Sequence, residues 1–385
     1  MRKLFPAAVL AGWLLYALPL AAQLQCSVVV NTPEDEVMLA VNGATENPQE
    51  QITALDKYAQ AHADSKFMPC VNSSYTMAYL KLNNFDKAIE YGEKNIAANQ
   101  LDVNQMLNLM KAYVASGKVT DLTFDVINKA PAQIAVEANP TRSSNMSDAD
   151  FTKVKEDAAA TAKDQRAYAE YAFFQLIPRV TDPNKRVQAL DAFMQAYPDS
   201  PNAAQINFQY FIAYKYADNA AKIAEYGEKA IASDPTNVAT LNLVADDYAT
   251  RKTNLDKANE YAKKVLDIEP TAKKPEGMTD QDFKTNQNGQ LGLAHLTLGY
   301  IALQKVNQTH KVAPAIQDLK TAADLLESNP QLQARAFFYL GFAYEVTPAN
   351  HKAAADAFGR AAAISGPLQP QAQEYLTKVK GALKH

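Results

Sequence analysis

The residues that could do chemistry are thinly spread through this 385-residue chain. Its five histidines, His62, His295, His310, His351 and His385, are scattered and lack the short ligand spacing of a metal site. Two distant cysteines, Cys26 and Cys70, cannot by themselves make a zinc site. No Gly-x-Ser-x-Gly elbow and no glycine-rich phosphate loop occurs. The carboxylate runs Asp246-Asp247 and Glu34-Asp35-Glu36 lie in polar contexts and read as solvated surface. Lys111, Lys118 and Lys129 read as exposed helix charge. These residues predict no enzyme, no cofactor and no metal, which leaves recognition by a surface.

Charge narrows the partner. With 38 basic and 42 acidic residues the formal net charge is −4, so no basic field exists to hold a nucleic-acid backbone. The start reads as a secretory signal peptide over residues 1–22. Arg2 and Lys3 form its charged end, Leu4 to Leu20 is nearly all apolar, and Pro19-Leu20-Ala21-Ala22-Gln23 offers small residues for cleavage. A membrane anchor is the alternative, although about 17 residues is marginal for a span. Cleavage would remove Trp13, the only tryptophan. The chain is therefore expected to be exported, periplasmic or envelope-associated. In that setting three fates suit the cysteines: a disulfide between Cys26 and Cys70, two unpaired thiols, or a lipid on Cys26.

The elements that must position any surface announce themselves by repetition. Glu90-Tyr91-Gly92-Glu93-Lys94-Asn95-Ile96-Ala97 returns as Glu225-Tyr226-Gly227-Glu228-Lys229-Ala230-Ile231-Ala232, 135 residues on. Ala54-Leu55-Asp56 returns at the same offset as Ala189-Leu190-Asp191. Self-similarity of this kind marks a stacked repeat protein. Scarce glycine (13 residues) and plentiful alanine favour helix.

After a lead-in at 23–47, with a helix near Glu34–Ala44 begun by Thr32 and Pro33, apolar residues at spacings of three and four predict helices throughout. They fall at 49–63, 71–82, 85–98, 102–116 and 120–129, with a break at Pro69 and a surface loop over 130–146. Further helices are expected at 151–163, 166–180, 185–196, 203–216, 220–233, 237–250 and 255–267. A second loop covers 271–277, and the last helices fall at 288–305, 312–328, 331–346, 349–364 and 370–383. Ser147-Asp148-Ala149-Asp150-Phe151 and Thr279-Asp280-Gln281-Asp282-Phe283 read as matched helix caps after Met146 and Met278. The duplication thus includes the loops at 130–147 and 271–279, which serve a binding face or are merely inherited.

The hairpins resemble tetratricopeptide repeats. Phe337, Leu340-Gly341 and Tyr344, then Ala354, Phe358 and Ala361, match the family pattern, as do Ala189, Phe193, Ala196 and Pro201, and Leu298-Gly299 with Ala302. Gly92 and Gly227 depart from it, standing where an aromatic is usual. The resemblance implies an all-α, right-handed α-α superhelix, a solenoid of stacked antiparallel helical hairpins. It would cover 48–367 with five to seven repeats, a duplicated block at 49–163 and 184–298, last repeats at 299–367 and a capping helix at 368–385. In this family the first helix of each hairpin lines an inner groove. Carried over, that register puts Phe208, Ile212, Lys215, Tyr300, Phe338, Phe342 and Glu345 on the groove, with Phe174 a further member. The resemblance then implies a non-enzymatic scaffold that binds a peptide or partner protein. The alternative is a small-molecule or glycan module using the aromatic side chains, and the same aromatics could instead pack against the neighbouring repeat.

Overall fold

A computed structural model describes residues 26–97, 102–346 and 350–383. The expected signal peptide lies outside the described residues. All regular structure among those residues is helical. The chain divides after Ser200 into two compact units. The first holds α1 (Pro33–Gly43), α2 (Pro48–Ala61), α3 (Met68–Lys81), α4 (Phe85–Ala97), α5 (Val103–Ser116), α6 (Thr123–Glu137), α7 (Asp148–Leu176) and α8 (Pro183–Ala196). The second holds α9 (Ala203–Tyr216), α10 (Ala220–Ser233), α11 (Val238–Arg251), α12 (Leu255–Ile268), α13 (Asp280–Gln304), α14 (Val306–Thr309), α15 (Ala313–Leu325), α16 (Pro330–Glu345), α17 (His351–Ala363) and α18 (Gln369–Ala382).

Cap chemistry sets most of the boundaries. Thr32, Asp102, Asp182, Asn219 and Asn237 each accept a hydrogen bond from a backbone N–H of the first turn, satisfying donors that have no partner inside the helix. The matched caps form as expected: the N–H of Asp150 donates to Ser147 Oγ at 3.1 Å, and that of Asp282 donates to Thr279 Oγ1 at 3.0 Å. The retained loops acquire a structural task here. Arg142 reaches forward to Asp148, and Lys274 to Asp280, so each loop is tied to the first carboxylate of the helix it precedes.

Four expectations are corrected. Pro69 does not break the chain; it sits in the first turn of α3, where a missing N–H costs nothing. The first loop is shorter than 130–146, because α6 continues to Glu137 with Pro131 inside it. Proline deprives the carbonyl four residues back of its donor. Here that carbonyl, Ile127, accepts instead from the hydroxyl of buried Tyr197 at 2.7 Å, which explains how the helix survives. The two helices expected at 151–163 and 166–180 are one 29-residue helix, α7, in an alanine-rich run without glycine or proline to end it. Likewise α13 begins at Asp280, directly after its cap, and not at 288.

Most helices pack against their chain neighbours: α3 on α4, α4 on α5, α9 on α10, α11 on α12, α15 on α16 and α16 on α17, whereas α8 packs on α6. First helices also meet one another, α3 with α5, α5 with α7, α11 with α13, and α13 with α16. Small residues permit these approaches. A Cβ on Gly92 would stand 2.9 Å from Leu109, and one on Gly341 would stand 2.6 Å from the Phe358 ring. Gly92 thus departs from the family pattern because α5 fills the space an aromatic would take, and Val244 of α11 does the same to Gly227. Full burial of a Leu or Phe such as Leu55, Leu319 or Phe358 contributes about 1.5–3 kcal/mol each.

The duplication is visible in the interactions. Tyr75, Tyr79 and Tyr91 stack, with Tyr75–Tyr91 centroids 4.2 Å apart, and Tyr210, Tyr214 and Tyr226 repeat the arrangement at 4.5 Å for the matching pair. Tyr113 donates to Glu93 at 2.7 Å as Tyr248 does to Glu228 at 2.9 Å. Cys26 and Cys70 form a disulfide that anchors the lead-in to α3, which removes the unpaired-thiol and Cys26-lipid readings.

Candidate functional site

The first helices of the second unit, α9, α11, α13 and α16, carry a set of aromatic, apolar and paired charged side chains. Phe208 and Ile212 are half-buried on α9 against the cluster around Phe211, Leu241 and Val244, on which Leu243 of α11 also packs. Lys215, one turn further along α9, places Nζ 3.0 Å from Asp247 Oδ1. Asp247 is only 2% exposed and also accepts from Arg251 Nε at 3.0 Å. Arg251 in turn pairs with Asp218 at 2.7 Å. Beside it, Asp246 receives both ends of the Arg335 guanidinium, which comes from α16, 89 positions later in the chain. Burial pulls the Arg335 pKa down, but the Asp246 carboxylate outweighs it and holds the group firmly protonated. Arg335 Nε has no hydrogen-bond partner. Tyr300 of α13 stacks on Tyr339 of α16 at 4.3 Å, and burial pushes the Tyr339 hydroxyl up, so it stays neutral.

This geometry divides the residues proposed for a groove. Phe208, Ile212, Lys215 and Tyr300 are half-buried and remain on the face of these helices. Phe338 is buried, closed over by Phe342 and by Tyr375 of α18, whose rings lie 5.0 and 5.8 Å from it. Phe342 is half-buried and packs edge-on against Phe358 and Tyr375. Glu345 is occupied by His351 Nδ1 at 2.7 Å. In the first unit Phe174 is buried among Phe173 and Phe193. Phe174 and Phe338 are therefore packing residues, out of a partner's reach.

Sequence reasoning misplaced Asp246-Asp247 on the solvated surface and overlooked Arg251, Arg335 and Tyr339. A usable signal existed. At the 135-residue offset the first copy has Ser73, Met77, Leu80, Lys111, Ala112 and Ser116 where the second has Phe208, Ile212, Lys215, Asp246, Asp247 and Arg251. Buried packing positions differ between the copies as well, Thr76 against Phe211 and Asn95 against Ala230 among them, so the signal is a partial one and not confined to this face.

Chemically the face is a neutralised one. Its charges are paired internally, so an incoming group meets half-buried apolar and aromatic side chains bounded by fixed ion pairs. No nucleophile and base are aligned on it. Among the described residues no cluster of three or more His, Cys, Asp or Glu side chains could hold a metal ion, and no helix is long and apolar enough to cross a membrane.

Paired helices with small residues at their crossings, packed hairpin on hairpin, make the fold tetratricopeptide-repeat-like. No protein-family model and no curated protein matches the chain. Solved structures to which it is similar include the P58(IPK) TPR domain, with 12% identity over 91% of this chain and 98% of that one and a TM-score of 0.28. The human IFIT1 dimer with PPP-AAAA follows at 15% identity, 86% and 81% coverage and a TM-score of 0.26. Yeast Tom70 shows 11% identity, 92% and 96% coverage and a TM-score of 0.20. Helix pairing within this chain, not whole-chain superposition, defines the fold.

Proposed function

We propose that this chain is a non-enzymatic scaffold of the bacterial cell envelope that binds an extended segment of a partner protein on the first helices of its second unit. The half-buried apolar side chains Phe208 and Ile212 on α9, bordered by the internally paired charges Lys215–Asp247 and Arg335–Asp246, carry this reading. An extended peptide suits the face because apolar side chains can enter between the helices while the paired charges border its path. Export is supported by the charged and apolar start of the chain, and by the Cys26–Cys70 disulfide, which persists in oxidising compartments. Tyr300 and Tyr339 each spend one ring face on the other, which leaves fewer free faces for stacking on sugar rings.

Photo-crosslinking in living cells tests the proposal. A benzophenone side chain at Ile212 is expected to capture a discrete partner protein, whereas one at Lys229, on the other helix of the hairpin, is not. Equal capture from both positions, or none from Ile212, would refute the assignment of the face. Recovery of the chain only from the cytoplasm, uncleaved and with Trp13 still attached, would refute export.

A further inference from the structure

A cleft of about 350 Å³ lies between α12, α13 and the start of α15, at the lower end of the size range for small-molecule sites. Its floor is apolar, made by Leu298, Ile301 and Ala302. Its rim brings three ammonium groups, Lys263, Lys305 and Lys311, against one carboxylate, Asp318. That carboxylate is already engaged by His295 Nδ1 at 2.9 Å. Lys305 reaches Asp256 at 3.2 Å, but Asp256 is fully exposed, and such a pair holds its lysine weakly. Lys263 and Lys311 have no ion-pair partner among the described residues, and the half-buried Asn259 beside them makes no side-chain hydrogen bond there. A turn leads into this rim: His310 lies in the left-handed region at φ 52°, and the Lys311 N–H donates to Thr309 Oγ1 at 3.3 Å.

A local surplus of positive charge in a chain of net charge −4 is unexpected unless something offsets it. Two other clefts show the contrast. One is lined by Lys320 and Arg360 together with Asp324 and Asp356, the other by Lys57 together with Glu36, so charges of both signs meet in each. In the α12–α15 cleft neither half of the surface suffices alone. Exposed lysines grip a bare anion weakly and lose it to salt, and a pure hydrocarbon on the floor leaves the ammonium groups unpaired. A molecule with both parts satisfies both surfaces. We infer that this cleft binds a small amphiphilic anion, a carboxylate or phosphate monoester on a short hydrocarbon chain. The head lies among Lys263, Lys311 and Asn259, and the chain lies on Leu298, Ile301 and Ala302.

Isothermal titration of the intact mature chain tests this, with octyl phosphate and octanoate below their micelle concentrations as probes. Both are expected to bind at one site and to weaken with added salt, while inorganic phosphate and octanol bind at least about tenfold more weakly. The double variant Lys263→Glu, Lys311→Glu changes only exposed residues. It is expected to keep its thermal midpoint and lose binding by about tenfold or more. Ala302→Phe fills the floor, and its binding is read alongside its circular dichroism to separate a blocked cleft from an unfolded one. Unchanged affinity in the charge-reversed variant, or equal binding of octanol, would overturn the proposal. So would binding to anionic phospholipid vesicles that survives Ala302→Phe, because the lysines would then be reading a charged surface and not a molecule in the cleft. Crosslinking from Ile212 is independent of both variants.

Discussion

Arg335 and Asp246 meet on two faces of one ion pair, mostly withdrawn from water, with side chains 20% and 13% exposed. Removing one partner strands the other charge, so Arg335→Ala is expected to destabilise the second unit by roughly 2–3 kcal/mol, discounted from a fully buried pair for the residual exposure. Asp246→Ala combined with Arg335→Ala should cost less than the two singles summed, and urea unfolding of the four proteins measures the coupling. Additive costs would show that the pair holds nothing. Glu228 gives a pH prediction at the same scale. Burial raises its pKa, yet hydrogen bonds from Lys257, Tyr248 and Tyr261 together outweigh burial and leave it below its ordinary 4.5. A carboxylate lowered in the folded state contributes stability that is present above pH 4.5 and is lost as pH falls through its folded value. Glu228→Gln should therefore flatten the acid limb of a thermal-midpoint profile below pH 4.5 and leave its shape at neutral pH unchanged. An unaltered acid limb would contradict this. None of these partnerships was legible locally. Asp246-Asp247 looked solvated because a window of sequence shows neighbours in the chain, while their partners Lys215 and Arg335 arrive from other hairpins.

At the scale of the element, α6 was read short because proline is an ordinary helix breaker. Its rescue comes from Tyr197, 70 residues later, which no local rule supplies. Tyr197→Phe should cost about 1–3 kcal/mol by leaving the buried Ile127 carbonyl without a donor. Pro131→Ala restores a backbone N–H to that carbonyl. It should therefore stabilise the Tyr197→Phe background more than the parent, by about 1 kcal/mol, as read from denaturation midpoints. Equal effects in the two backgrounds would show that the hydroxyl does not replace the missing amide. Where caps and periodicity agreed, sequence served well. The ends of α9 and α10 fall where the apolar spacing put them, because Asn219 caps a run with no competing breaker. Where one alanine-rich segment continued without punctuation, as through α7, two short helices were expected and one long one formed.

For the whole molecule, the fold class was legible because duplication repeats a pattern that single helices show only weakly, while the candidate face was legible only in part. Register marked Phe208, Ile212, Lys215 and Tyr300, while Asp246, Asp247, Arg251, Arg335 and Tyr339 emerge only from the ion pairs and ring contacts of the fold. A repeat protein of this kind shelters each helix pair with the next, so stability is a sum of local pairings and not the property of one centre. In the second unit α18 covers Phe342 and Phe358 through Tyr375 and has no following hairpin among the described residues. Hydrogen exchange followed by mass spectrometry on a chain ending after Gly366 is the most direct test of this claim. Protection is expected to fall most in α16 and α17, less in α13 and α15, and not at all in α3 to α5. Loss of protection throughout the chain at once, or no loss anywhere, would contradict a molecule built from nearest-neighbour helix pairs.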